Sequence, residues 1–153
     1  MDRFPRPAPY FRHRKGAVAG GGAGAEGLAA KEAGRPEPRI LASRWSIFAQ
    51  DAEEAWQALA AWRGLRAPGR LEAVDPATLR ERADELPRHE ILQRYSLVAS
   101  AGDYVTTYTP LVTEVGAEVV TIQTTSLDQE TTIAMLGSEV LPQLRDVAAA
   151  HGN

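Results

Sequence analysis

The stretch 117-AEVVTIQTTSLDQETTIAMLGSEVLPQLRD-146 has the pattern that decides the fold class of this 153-residue chain. Its first part is rich in β-branched residues, chiefly Val119, Val120 and Ile122, and this predicts a strand. A turn and a two-part helix are predicted to follow. A strand that runs directly into a helix is the repeating unit of α/β proteins, so we expect a parallel sheet with right-handed helical crossovers.

The helix of this closing unit has a recognisable start and an interruption. Ser126 and Gln129 stand three residues apart, which is the spacing of a capping box at a helix N-terminus. Gly137 is expected to break the helix. Pro142 then lies in the first turn of the restart, where its missing N–H is tolerated.

A second strand and helix stand earlier in the chain. The apolar run 40-ILASRWSIFA-49 predicts a strand. Asp51 and Glu54 have capping-box spacing and begin an amphipathic helix over 51–62. These two elements form the first half of a βαβ unit, because a further strand is predicted downstream.

The middle of the chain is predicted to be mainly helical. Asp75 supplies an N-cap and Pro76 a proline at the first helical position, so a helix is expected over 75–86. Helix resumes over 88–95, and 95-YSLVA-99 predicts a short strand.

One more helix separates the last two strands. Ser100 and Asp103 have the spacing and residue types of a helix cap, and the helix is expected to reach Val115. Gly116 then stops it, because glycine adopts the left-handed conformation that commonly ends a helix.

The amino-terminal segment has a different composition. Residues 1–25 mix Pro, Arg and Gly without periodicity, and we expect them to be disordered. A short helix is predicted from Glu26, with Gly34 as its stop. A G-x-G-x-x-G pattern runs from Gly22 to Gly27, but the preceding strand that a dinucleotide-binding turn requires is too weak, so a low-complexity stretch is the favoured interpretation.

Composition excludes several functional classes. The chain has no cysteine, which rules out disulfides and thiolate metal sites. Basic residues are concentrated in residues 1–40, whereas residues 41–153 hold nine Lys/Arg against sixteen Asp/Glu, so no nucleic-acid surface is expected. No apolar window is long enough for a membrane span and no export signal is recognised, so we expect no membrane association and a cytoplasmic location.

Histidines and tryptophans give no catalytic signature. The histidines show no metal-ligand spacing, and neither a nucleophile elbow nor a P-loop is present, so catalytic residues and metal ligands are both predicted to be none. The tryptophans fall on a predicted strand and helix that should pack together, which favours a role in the core. The residues are His13, His89 and His151, and Trp45, Trp56 and Trp62.

Two arginines are the candidate binding residues. Arg70 lies in the loop 67-APGRLEAVDP-76, and Arg94 lies at the end of the helix before 95-YSLVA-99. A guanidinium presents a planar set of donors that suits a phosphate, so the two could hold a phosphorylated substrate. Fifteen of the seventeen basic residues are arginine, however, and on spacing alone solvated surface arginines are the alternative.

The segments 75-DPATLRERADELPRHEILQRYSLVAS-100 and 126-SLDQETTIAMLGSEVLPQLR-145 carry a resemblance. In order and spacing they resemble the carboxyl-terminal region of luciferase-like, coenzyme F420-dependent oxidoreductases. The likeness is greatest to the group of the F420-dependent glucose-6-phosphate dehydrogenase. It covers about residues 26–145, roughly the last third of a family chain.

This resemblance implies a fold, a cofactor and a site. The fold would be the carboxyl-terminal part of a (β/α)8 TIM barrel over residues 26–150, and the reaction a hydride transfer between a substrate alcohol or hemiacetal and a deazaflavin. The cofactor would be coenzyme F420 rather than FMN, with cofactor-binding residues unknown. Arg70 matches a phosphate-binding lysine of the sugar-phosphate dehydrogenases, and Arg94 a phosphate-binding arginine.

The resemblance also implies what the chain lacks. The catalytic histidine and most cofactor contacts of the family lie upstream of the matching region. We therefore expect a small-molecule substrate but no dehydrogenase activity from the chain alone, and association into a homo-oligomer through open sheet edges. The alternative is a non-catalytic remnant that binds a phosphorylated ligand or a homologous partner chain.

Overall fold

A computed structural model describes residues 30–36 and 39–152 and contains one parallel sheet of three strands. The strands are β1 (Leu41–Phe48), β2 (Ser96–Val98) and β3 (Val119–Thr125), and their order in the sheet is β2-β1-β3. The central strand β1 pairs with β3 over seven positions and with β2 over three. The expected α/β class with a parallel sheet is confirmed.

Helices connect the strands close to where the sequence predicts them. Between β1 and β2 lie α1 (Ala52–Ala58), a 3-10 turn (Arg63–Arg66), α2 (Pro76–Asp84) and α3 (Arg88–Leu92). Between β2 and β3 lies α4 (Ala101–Thr113), and after β3 come α5 (Gln129–Met135), a π-helical turn (Leu136–Val140) and α6 (Leu141–Ala150).

Three of the predicted helix starts have the expected capping side chain. The Asp51 carboxylate accepts hydrogen bonds from the backbone N–H groups of Glu53 and Glu54 at 2.9 and 2.8 Å. Asp75 accepts from the Ala77 N–H at α2, and the Ser100 hydroxyl accepts from the Asp103 N–H at α4. These local signals fix where the connections leave the sheet.

The predicted cap of the closing helix is wrong. Asp128, not Ser126, is the N-cap of α5, and its carboxylate accepts from the Thr131 N–H at 3.0 Å. The reason is that β3 continues to Thr125, so the chain needs two further residues before it can turn into the helix. The Ser126 hydroxyl instead lies 2.8 Å from the Thr132 hydroxyl in a buried hydrogen bond.

Gly137 does not break the helix, contrary to expectation. The chain stays helical from Gln129 to Ala150, passing through the π turn in which the Leu141 N–H donates to the Leu136 carbonyl. Pro142 has no N–H to donate in an α-helical pattern, and a wider turn next to it lets the helix continue without that bond.

Side chains on the two faces of the sheet pack against different helices. Trp45 and Ile47 point to the face covered by α1 and α3, whereas Ala42 and Phe48 point to the face covered by α4 and α6. Helices therefore lie on both faces. In a closed (β/α)8 barrel consecutive strands are neighbours, whereas here β1 lies between the two strands that follow it in the chain.

Trp45 and Trp56 pack in the core as predicted, whereas the prediction is wrong for Trp62, whose side chain lies at the edge of the cluster and is 43% exposed. The Trp45 ring lies 5.7 Å from the Trp62 ring and 5.8 Å from the Tyr95 ring, the latter edge to face. Trp56 is buried in the cluster between β1, α1 and α3. Such aromatic contacts add to the burial of apolar area.

Some expectations concern the chain before Ala30. The predicted disorder over 1–25, the glycine pattern from Gly22 to Gly27 and the predicted helix start at Glu26 lie outside the described residues. Gly34 has a positive φ of 64° after a short helical turn, which agrees with the predicted helix stop.

Candidate functional site

The two arginines chosen from the sequence line the same cavity. It has a volume of about 590 Å³ and lies between the loop that follows the 3-10 turn and the chain segment just before β2. The residues that line it are Leu65, Ala67, Gly69, Arg70, Leu71, Glu72 and Arg94. The fold thus brings together two cations that are 24 positions apart in the sequence.

The loop that carries Arg70 is held in place by α2. Gly69 has a φ of 64°, and the Glu72 N–H donates to its carbonyl at 3.0 Å to close a turn. The Arg82 guanidinium, from α2, donates to the carbonyls of Pro68 and Gly69 at 3.4 and 3.2 Å. A Cβ at position 69 would lie 2.7 Å from Arg82 Nη1, so glycine suits both the conformation and the space.

Arg70 and Arg94 reach the cavity from different elements. Arg70 Nη1 donates to the Leu65 carbonyl at 3.1 Å, which ties the side chain to the 3-10 turn. A guanidinium has five N–H donors, so one such bond leaves further donors for a ligand. Arg94 follows α3, and its backbone N–H donates to the Ile91 carbonyl at 3.1 Å.

Glu72 adds a carboxylate to the same cavity, and the sequence reasoning missed it. Its signal was its position two residues after Arg70 in the same loop. A carboxylate accepts hydrogen bonds from hydroxyl groups and repels a bare anion. The lining of the cavity therefore combines two guanidinium groups with one carboxylate.

Two neighbouring arginines are engaged elsewhere. Arg63 forms a two-pronged ion pair with Asp84, with Nε–Oδ1 at 2.6 Å and Nη2–Oδ2 at 3.0 Å. This hydrogen bond is the main cause that lowers the pKa of Asp84. Arg88 pairs with Glu53 at 2.7 Å, and both guanidinium groups lie about 5 Å from the Trp56 ring. These contacts stabilise the helical layer and do not line the cavity.

The carboxyl edge of the sheet has the opposite charge. Asp51 and Asp128 cap the helices that follow β1 and β3, and Asp103 Oδ2 accepts from the Ala99 N–H after β2 at 3.0 Å. Hydrogen bonds from Thr131 are the main cause that lowers the pKa of Asp128. In open α/β sheets this edge commonly binds ligands, but here carboxylates already occupy the backbone N–H groups that an anion would use.

A second cavity, of about 320 Å³, lies beside β3. Its lining is mainly apolar and comes from β3, the end of α4 and α6. The residues are Val112, Ala117, Glu118, Val119, Val120, Ile122, Leu141, Leu144, Arg145 and Ala148.

Other site types find no support within residues 30–36 and 39–152. No group of three or more His, Asp or Glu side chains is arranged to hold a metal ion in this part of the chain. His89 is exposed on α3, as predicted. Among the described helices, none combines the length and apolar composition needed to cross a membrane.

Comparison with known proteins identifies the fold. No family model matches the chain, and no curated protein matches it. A solved structure of an F420-dependent secondary alcohol dehydrogenase, in complex with an F420-acetone adduct, matches it with a TM-score of 0.61 and 23% sequence identity. The match covers 78% of this chain and 37% of that chain, so this chain spans little more than a third of its length. The expected likeness to part of a luciferase-like barrel is thereby confirmed at the level of fold.

Proposed function

We propose that this chain is part of a luciferase-like, F420-dependent oxidoreductase and that it binds the anionic group of the substrate. The observation that carries the proposal is the convergence of Arg70 and Arg94 on one cavity. Two guanidinium groups facing one space can donate several charge-assisted hydrogen bonds to a phosphate.

A sugar phosphate is the substrate class that best fits the lining. Arg70 and Arg94 would bind the phosphate, and Glu72 would accept hydrogen bonds from sugar hydroxyls. This agrees with the resemblance to the F420-dependent glucose-6-phosphate dehydrogenase group.

Coenzyme F420 is the cofactor that we propose for the complete enzyme, because the matched structure contains an F420-acetone adduct. A deazaflavin supplies a ring that accepts or donates hydride. The described residues do not by themselves fit it, since Asp51, Asp103 and Asp128 would repel its anionic side chain at the carboxyl edge. We therefore assign no cofactor contact to a residue of this chain.

The second candidate function is binding without catalysis. The position of the Asp51 and Asp128 carboxylates favours this alternative. Neither carboxylate lines the arginine cavity, and the cavity needs no cofactor to form. Under this alternative the chain binds a phosphorylated ligand, and hydride transfer plays no part.

Ligand titration tests the anion site. Glucose 6-phosphate is titrated into the purified chain by calorimetry, and the double variant Arg70→Ala/Arg94→Ala should bind on the order of tenfold more weakly or worse, because charge-assisted hydrogen bonds are lost. The matched control Arg35→Ala/Arg80→Ala removes the same charge at two exposed positions that do not line the cavity. Equal affinity in all three proteins would refute the proposed site.

A variant of Glu72 distinguishes binding of a sugar phosphate from binding of a bare phosphate anion. Glu72→Gln should weaken binding of glucose 6-phosphate and strengthen binding of inorganic phosphate, because the change replaces an ionised hydroxyl acceptor by a weaker neutral one and removes a repelling charge. If both ligands respond in the same direction, Glu72 does not contact the sugar part.

A further inference from the structure

Arg82 contacts the loop of the candidate site without lining the cavity. Its Nη1 atom lies 3.2 Å from the Gly69 carbonyl oxygen and 3.4 Å from that of Pro68, and this atom carries two N–H donors. Unlike Arg63 and Arg88, Arg82 forms no ion pair with a carboxylate of the described residues. Its guanidinium is therefore used to bind two adjacent loop carbonyls rather than to balance a charge.

These carbonyls belong to the turn that carries Arg70. The Glu72 N–H donates to the Gly69 carbonyl at 3.0 Å, so Arg70 occupies the second position of a four-residue β-turn. A carbonyl oxygen has two lone pairs, and the Gly69 oxygen accepts one bond from Glu72 and one from Arg82. The turn is thus closed within the loop and tied to α2 at the same oxygen atom.

A second contact also places the Arg70 guanidinium relative to α2. Arg70 Nη1 donates to the Leu65 carbonyl at 3.1 Å, within the 3-10 turn. That turn packs closely on α2, because a Cβ at Gly64 would lie only 3.1 Å from the Leu79 Cβ. Both the backbone and the guanidinium of Arg70 therefore take their position from α2, whereas Arg94 follows α3.

We propose that Arg82 is a positioning residue of the arginine cavity, and this inference rests on the function proposed above. Its bonds to the Pro68 and Gly69 carbonyls hold the turn in the conformation that directs the Arg70 guanidinium to the cavity shared with Arg94. A side chain on a mobile loop has to be immobilised when a ligand binds, and this weakens binding. A turn that Arg82 has already ordered avoids most of this loss.

Titration of glucose 6-phosphate into three variants by calorimetry tests this role. Arg82→Ala should weaken binding about three- to tenfold, the range expected when one long side chain has to be ordered on binding. Arg82→Lys keeps a donor and a charge at nearly the same reach, so it should recover most of the affinity. Arg80→Ala is the matched control and should bind like the unaltered chain, since Arg80 is an exposed arginine of the same helix that does not line the cavity.

Amide exchange of the ligand-free protein, measured by NMR, shows whether Arg82 acts on the turn. The Glu72 amide closes the turn, so it should exchange faster in Arg82→Ala, while the amides of the central strand β1 should be unaffected. A general loss of stability would accelerate exchange in both places. Faster exchange at Glu72 alone supports positioning, whereas equal acceleration in β1, or no change at Glu72, would overturn it.

The titrations distinguish the role of Arg82 from the existence of the site. Positioning by Arg82 is refuted, and the anion site stands, if Arg82→Ala binds glucose 6-phosphate as well as the unaltered chain does. The same conclusion follows if Arg80→Ala loses as much affinity, because the effect would then be one of charge. If the unaltered chain does not bind glucose 6-phosphate, the anion site itself is refuted, and the role of Arg82 in it falls as well.

Discussion

A buried hydroxyl pair joins the central strand to α4. Tyr108 Oη donates to the Arg44 carbonyl at 2.7 Å, so its single proton is used there, and the Ser46 hydroxyl at 2.8 Å must be the donor to Tyr108 Oη. Both side chains are fully buried. Burial is the main cause that raises the pKa of Tyr108, to about 12.

Removal of the Tyr108 hydroxyl should destabilise the protein by about 1–3 kcal/mol, because the Ser46 donor and the Arg44 acceptor lose a buried partner. Chemical denaturation of Tyr108→Phe measures the change. In the double variant Tyr108→Phe/Ser46→Ala the unsatisfied donor is gone, so the second substitution should cost less than it does alone. Strict additivity of the two changes would argue against the hydrogen bond.

The raised pKa of Tyr108 predicts a loss of stability at alkaline pH. Its folded pKa is raised from 10.0 to about 12, so its contribution is fully present below about pH 10 and is lost as the pH rises through about 12. The free energy of unfolding should fall over this range, and Tyr108→Phe should show a shallower fall. Burial also raises the pKa of Tyr104, so this residue contributes to the same fall in stability.

The sequence predicts side-chain roles well where the partner is near in the chain. Asp51, Asp75 and Ser100 cap their helices as expected, since each contacts a backbone N–H two or three residues away. The contact between Ser46 and Tyr108 spans 62 residues and has no local signature. The shared cavity of Arg70 and Arg94 was inferred from a family resemblance rather than from spacing.

Gly116 and Gly137 differ in their backbone conformation. Gly116, just after α4, has a φ of 69°, and the Ala117 N–H beyond it donates to the Leu111 carbonyl at 2.9 Å. Gly137 lies within the continuous helix from Gln129 to Ala150. A Cβ at either position would meet no atom within 4 Å, so neither site limits an alanine by space.

Alanine should therefore have opposite effects at these two positions. Gly116→Ala should lower the free energy of unfolding by about 1 kcal/mol, because an L-residue is strained at this φ. Gly137→Ala should raise it by up to about 1 kcal/mol, because alanine is the better helix former. Thermal melts of the two variants measure both changes, and a stability loss in Gly137→Ala would show that this helix requires glycine.

Element boundaries were predictable to within a few residues, with two informative exceptions. Asp128 replaces Ser126 as the cap because the length of β3 is set by its pairing with β1, which the local pattern does not encode. The π turn next to Pro142 differs from the helix break that the sequence predicts at Gly137, since glycine often marks such a break.

At the scale of the whole molecule, the parallel sheet was predictable and the strand order was not. Alternation of strands and helices indicates parallel pairing, but it does not say which strand lies in the centre. That choice is made by long-range packing: Trp45 and Ile47 bury one face of β1 under α1 and α3, while Phe48 packs under α4 on the other.

The purified chain should not reduce coenzyme F420 with either glucose 6-phosphate or a secondary alcohol. The physical reason is that the arginine cavity lies apart from the acidic carboxyl edge, and the match covers 37% of the solved dehydrogenase chain. Loss of deazaflavin absorbance is measured with and without substrate. Substrate-dependent reduction would contradict this prediction and would also exclude binding without catalysis.

The central position of β1 determines when the sheet can form during synthesis. Leu41 pairs with Val119, 78 residues later in the chain. At the usual 5–20 residues per second, a ribosome needs roughly 4 to 16 s to add that length. During this interval one whole edge of β1 has no strand to pair with, so its backbone N–H and C=O groups stay open to other chains until β3 emerges.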